Sequence, residues 1–220
     1  MVGRAHTVAR WLLWALPIWA LMLLLSVMTK QPDPQSQFRE FAQYVTTSQF
    51  LTSHLINSIL GAAIGSVGFV GLFVHLSDSR AAGRALAATI AMVAGNTLTT
   101  AVFGAAAFTQ PALGRAFLDG NRDALALYND VYSVPLFGTA VLGLLLFIAG
   151  GILAGLAVAA SHRFPRWAGW LLAVSIPVFA VGSLMAALLA QAGAVGALLA
   201  TFAIAWSGAR HDYWPMGQTV

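Results

Sequence analysis

Cysteine is absent from the 220 residues, charged side chains make up only 8% of them, and lysine occurs once, at Lys30. Without a thiol there is no disulfide framework, thiolate metal site, iron–sulfur cluster or cysteine nucleophile. A charged fraction so far below the quarter or so found in soluble domains excludes a water-soluble globular protein. What fills the chain is apolar: 59% of residues are hydrophobic and the mean hydropathy is +0.80. At roughly 20 apolar residues per bilayer crossing, about 130 such residues suffice for about six helices and leave no room for a separate soluble domain.

Uncharged runs fall at about 11–28, 55–76, 86–108, 135–160, 167–189 and 194–208. They predict an all-α integral membrane protein, a single transmembrane domain built as a six-helix bundle. The first run follows Arg4 and Arg10 as a signal peptide would, but it ends Ser26-Val27-Met28-Thr29-Lys30 without a small-residue cleavage site, which favours an uncleaved helix. The sixth run is short for a span and is expected to extend toward Tyr213, after a turn at Gln191-Ala192-Gly193.

Basic residues divide unevenly between alternate loops. One side takes Arg4, Arg10, Arg80, Arg84, Arg163, Arg166 and Arg210; the other takes Lys30, Arg39, Arg115 and Arg122. The positive-inside rule then puts both termini in the cytoplasm. Trp11, Trp14, Trp167, Trp170, Trp206 and Trp214 fall at the inner boundary, and Tyr44, Tyr128 and Tyr132 toward the outer one. The net charge of +4 is therefore polarised toward the inner face, where Arg80, Arg84, Arg163 and Arg166 are expected to meet anionic lipid headgroups. Ten arginines to one lysine, with abundant Ala and Gly, suit a GC-rich bacterial genome, so the expected location is the bacterial inner membrane.

Both long external segments carry helical patterns. Asp33-Pro34 reads as a helix start, followed by Phe38, Phe41 and Val45 on one face; Ala124, Leu125, Leu127, Tyr128 and Val131 repeat the pattern after a turn at Asp119-Gly120-Asn121. Short amphipathic helices in the outer interface are expected, with Pro135 in the first turn of the fourth span. An offset of 84 residues aligns Tyr44 with Tyr128, Gly71 with Gly155 and Ser77 with Ser161, suggesting a weak internal repeat of 31–108 in 115–190.

The interiors of the proposed spans hold no Asp, Glu, Lys or Arg, which argues against ion-coupled transport, proton pumping and voltage sensing. His54 and His75 lie at opposite ends of one helix, roughly 31 Å apart, and read as interfacial residues; a metal cluster of His75, His162 and His211 is the less favoured alternative. Signature motifs of serine nucleophiles, zincins and phosphate loops are absent. The external Asp119, Asp123 and Asp130 do not match a calcium loop, and they read as a solvated or Arg-paired surface.

The third run has the densest polar stretch at membrane depth. Asn96 and Thr100 share a face, and Asn96, Thr97 and Thr100 are the candidate ligand-binding residues. The commoner role for such groups is polar glue between helices, with Ser66, Thr139, Ser175 or Ser183 as partner. Gly61/Gly65, Gly151/Gly155 and Gly196/Ala200 allow close helix approach, and Pro17 and Pro177 are expected to kink their helices.

No catalytic residue, cofactor, metal or nucleic-acid partner is implied. The expectation is a non-catalytic accessory subunit or a lipid- or partner-binding membrane module, whose partners are membrane lipids, other membrane subunits or a second copy of itself. The alternative is a carrier or enzyme for a hydrophobic small molecule with a polar pocket around the third helix.

Overall fold

The computed structural model describes residues 10–210. The expectations for Arg4, His211, Tyr213 and Trp214 lie outside the described residues. Within them the chain is helical: α1 Ala15–Ser26, α2 Phe38–Val45, α3 Ser48–Leu76, α4 Ala82–Leu118, α5 Ala124–Val131, α6 Val134–Ser161, α7 Arg166–Met185 and α8 Ala187–Arg210. Five of these, α3, α4, α6, α7 and α8, are long and apolar enough to cross a membrane. The apolar segment containing α1, Arg10–Ser26, is shorter.

α1 and the five long helices form a closed ring in which α1 packs on α3, α3 on α4, α4 on α6, α6 on α7, α7 on α8 and α8 back on α1. One end of the ring, here the basic end, carries Arg10, Arg80, Arg84, Arg163, Arg166 and Arg210; the opposite, capped end carries α2 and α5. Trp19, Phe69, Leu16, Leu72, Leu172 and Ile176 pack the interior of the ring into one core cluster.

Small residues set the helix spacing. A Cβ on Gly155 would strike the Gly169 carbonyl and Ala173 of α7, and one on Gly65 would lie 2.5 Å from the Trp19 indole of α1. The expected small-residue pairs therefore face neighbours in the same chain: Gly61 and Gly65 face α1, while Gly151, Gly155 and Gly196 face α7.

Four expectations need correction. The third span does not stop at 108: α4 runs 37 residues to Leu118, with Pro111 inside it. At 1.5 Å per residue it is about 55 Å long, well beyond a ~30 Å hydrocarbon core. Its projecting end is the post on which α2 and α5 dock; Gly114 lets the Ala42 carbonyl and Val45 of α2 close in. Second, the turn before α8 is at Ala186, extended at φ −157°, ψ 123°, and not at Gln191–Gly193. Gly193 and Gly182 serve the antiparallel contact instead, Gly193 against the Phe179 backbone and Gly182 against Ala190. The earlier turn makes α8 a 24-residue helix, not the short 194–208 segment.

Third, Asp33 closes a turn rather than capping a helix. Its carboxylate accepts from Gln35 N–H at 3.1 Å and Ser36 Oγ at 2.7 Å, and α2 begins five residues later at Phe38. Those bonds, the Ser36 hydroxyl foremost, hold the Asp33 pKa below the ordinary carboxylate value. Fourth, Pro17 sits in the first turn of α1, after an irregular turn at Leu13–Trp14, so it starts the helix instead of kinking its middle.

At the capped end α2 buries Phe41, Ala42 and Val45 against Phe50, Leu113 and Tyr128, with Phe38, Tyr44 and Tyr132 packed around them. Polar cross-links bind the cap: Gln110 Nε2 donates to Tyr132 Oη at 2.6 Å, Gln31 Nε2 to Gln110 Oε1 at 3.3 Å, and Gln35 Nε2 to Asn129 Oδ1 at 2.8 Å. The order of one short and two long helices occurs twice, with starts at Phe38, Ser48 and Ala82 and then at Ala124, Val134 and Arg166.

Candidate functional site

The capped half of the ring encloses a cavity of about 370 Å³, walled by α1, α3, α4, α6 and α7. Toward the basic end its floor is aromatic. Trp19, buried and edge-on to Phe69 at 5.2 Å, lies 6.0 Å from Phe147, which lies 6.2 Å from Phe179. Leu23, Val27, Val102, Phe103, Ala140, Leu144 and Leu184 continue the apolar lining.

One wall is different. Residues Ser53–Leu60 of α3 form a π-helical segment, a rare geometry that recurs at functional positions. None of its eight residues is buried: Ser53, His54, Asn57 and Ser58 border the cavity, while Ile56 and Leu60, which do not line it, are exposed. The local sequence Ser53-His54-Leu55-Ile56-Asn57-Ser58 is rich in side chains that compete with regular α-helical bonding. Ser53, His54, Asn57 and Ser58 all line the cavity.

These four side chains are the polar face of the site. His54 Nδ1 lies 3.1 Å from the Phe50 carbonyl, and the ring packs on Phe50 with centroids 4.1 Å apart. A carbonyl only accepts, so Nδ1 carries the proton and Nε2 is left as an acceptor. No hydrogen bond joins His54 Nε2, Ser53 Oγ, Ser58 Oγ or the Asn57 amide to another described residue. Among the described residues no Asp, Glu, Lys or Arg lines the cavity.

On the facing wall, Asn96 Nδ2 donates to the Ala62 carbonyl and to Ser66 Oγ, each at 3.1 Å. Ser66, one of the four partners proposed for it, thus joins α3 to α4 through Asn96. The amide also borders the cavity, where Oδ1 has no partner among the described residues. Of the other two candidates, Thr97 is exposed and bonds to the Val93 carbonyl at 2.8 Å, and Thr100 does not line the cavity. Thr99 lines it instead. The structure therefore brings Asn96 to the site without Thr97 and Thr100, and adds the π segment. His54, expected at a helix end, stands inside because α3 starts seven residues before 55.

The arginines proposed to meet lipid gather at the basic end, largely on helix ends. Arg80 Nε donates to the Ala160 carbonyl at 3.2 Å and Arg84 to Leu156 at 3.4 Å, both near the C-terminus of α6, where cations are favoured. Arg163 bridges the His75 carbonyl at 2.6 Å and Asp78 at 2.7 Å, and Arg166 is exposed at the start of α7. Among the described residues no group of three or more His, Asp or Glu is placed to hold a metal ion.

Chemically, the cavity presents hydrogen-bonding groups in an apolar chamber, most densely on α3 and also from Ser26, Asn96, Thr99 and Ser183, without an acid to pair with its single imidazole. That suits holding an amphipathic molecule better than proton transfer. Comparison with models of protein families, with curated proteins and with solved structures finds no match for this chain.

Proposed function

We propose that this chain is a non-catalytic, lipid-binding membrane module, a six-span protein of the bacterial inner membrane with both termini in the cytoplasm. The observation that carries the binding role is the set of polar atoms, His54 Nε2, Ser53 Oγ, Ser58 Oγ and the Asn57 amide, that have no partner among the described residues and lie at the edge of an apolar cavity of about 370 Å³. A buried or half-buried polar group without a hydrogen bond is costly, so such a set at one wall is a ready receptor for a ligand head. A cavity of this size lies within the range of small-molecule sites.

The orientation rests on the arginines gathered at one end, and the location on the Arg-, Ala- and Gly-rich composition. The twice-repeated order of one short and two long helices supports reading residues 31–108 and 115–190 as a duplication. The carrier or enzyme reading shares this cavity; the absence of Asp and Glu among its described lining residues favours binding without catalysis.

The test is lipid retention. Protein purified in mild detergent is extracted and the lipids are identified and counted by mass spectrometry. About one amphiphile per chain is expected for the wild type, and less than one fifth of that for Asn57→Leu and His54→Leu. Substoichiometric lipid in the wild type, or retention at the wild-type level by both variants, would overturn the reading.

A further inference from the structure

The chemistry of the lining narrows the ligand, on the basis of the binding role proposed above. We infer that the cavity takes an uncharged lipid alcohol, with its hydroxyl on the π segment of α3.

The head is constrained by charge and by donor count. A phosphate or carboxylate brought into this chamber would meet no Lys or Arg among the described lining residues, and an unpaired ion in an apolar site is strongly disfavoured. An ammonium would find no carboxylate. An uncharged head remains, and His54 says which kind. With its proton engaged on the Phe50 carbonyl, Nε2 offers only a lone pair, so the ligand must bring a donor. Asn57, Ser53 and Ser58 donate and accept, and so satisfy the oxygen of that hydroxyl or a neighbouring ester carbonyl.

Two sources of the same chemistry fit, an acylglycerol and a long-chain prenol. Full-length protein in phosphatidylcholine nanodiscs is equilibrated with radiolabelled dioleoylglycerol, undecaprenol, 3-acetyl-dioleoylglycerol or dioleoylphosphatidylglycerol, and the lipid retained on re-isolation in detergent is counted. At least one alcohol is expected to be held tenfold better than the acetylated and the anionic probes; which alcohol it is identifies the source. Equal retention of the acetylated or anionic probe overturns the assignment of the head. Retention of none of the four probes overturns the cavity reading on which it rests.

Discussion

The Asn96 side-chain amide donates to Ser66 Oγ at 3.1 Å, tying α4 to α3 directly beside the cavity. The same nitrogen also reaches the Ala62 carbonyl, so the bond fixes the amide's orientation and turns Oδ1 away from the helix contact. Replacing Asn96 by Ala removes both donations at once. A loss of about 1 kcal/mol is expected, with an Asn96–Ser66 coupling of about 0.6 kcal/mol in a double-mutant cycle, the usual scale for interhelical hydrogen bonds in membranes. Reversible unfolding in mixed micelles measures both. Asn57→Leu, which breaks no bond to a described residue, should leave the midpoint unchanged and affect only lipid retention.

The Gly155–Gly169 crossing is the tightest contact between α6 and α7. A Cβ on Gly169 would lie 2.5 Å from Ala159 N, and one on Gly155 would meet the Gly169 carbonyl. Those obstacles are backbone atoms, which cannot swing aside. Gly155→Ala and Gly169→Ala are each expected to cost about 1–3 kcal/mol through overpacking, whereas Gly83→Ala should be neutral or slightly stabilising. Thermal midpoints of the three variants in one detergent decide this.

Arg163 joins the end of α3 and the loop after it to the loop after α6, donating to the His75 carbonyl and to Asp78. Asp78 is half exposed, so the ion pair itself is expected to contribute less than about 1 kcal/mol. Asp78→Asn should therefore be mild. Arg163→Ala removes the contact with the carbonyl as well, and is expected to shift the thermal midpoint at least twice as far as Asp78→Asn. A smaller shift for Arg163→Ala would show that the carbonyl contact contributes nothing.

Burial pushes the Tyr132 phenol well above the ordinary tyrosine value, and the Gln110 bond only partly offsets this. The folded chain then keeps its proton at pH values where the unfolded chain has lost it. The associated stability is complete below pH 10 and falls as the pH rises beyond it. Absorbance titration should show Tyr132 ionising only as the cap unfolds, and Tyr132→Phe should flatten the alkaline loss of stability. Ionisation near pH 10 with the helices intact would contradict it.

Much of this architecture is legible in the residues. Charge-free runs separated by arginines mark the long helices, and the spacing of Phe38, Phe41 and Val45 marks the cap helix. The need of Asn96 for a partner on another helix is legible because an amide at membrane depth has few places to go, but Ser66 is one of four serines and threonines that could supply it. Three features were hidden for physical reasons. Thr109-Gln110-Pro111 reads as a loop, yet it stays helical because α2 and α5 pack on it and Gln110 is satisfied by Tyr132. Gly193 has the composition of a turn, but its lack of a side chain serves close contact with Phe179. The π segment leaves no periodic trace in eight residues, and its polar side chains look like a helix end when only hydropathy is counted.

The most direct test is an experimental density map of the protein in nanodiscs made from its native lipid, at a resolution that shows side chains. The expected result is elongated non-protein density in the cavity, with its head within hydrogen-bonding distance of His54 Nε2 and Asn57. A cavity holding only water, or one closed by Asn57 and His54 bonding to other residues of the chain, would contradict the lipid-binding account.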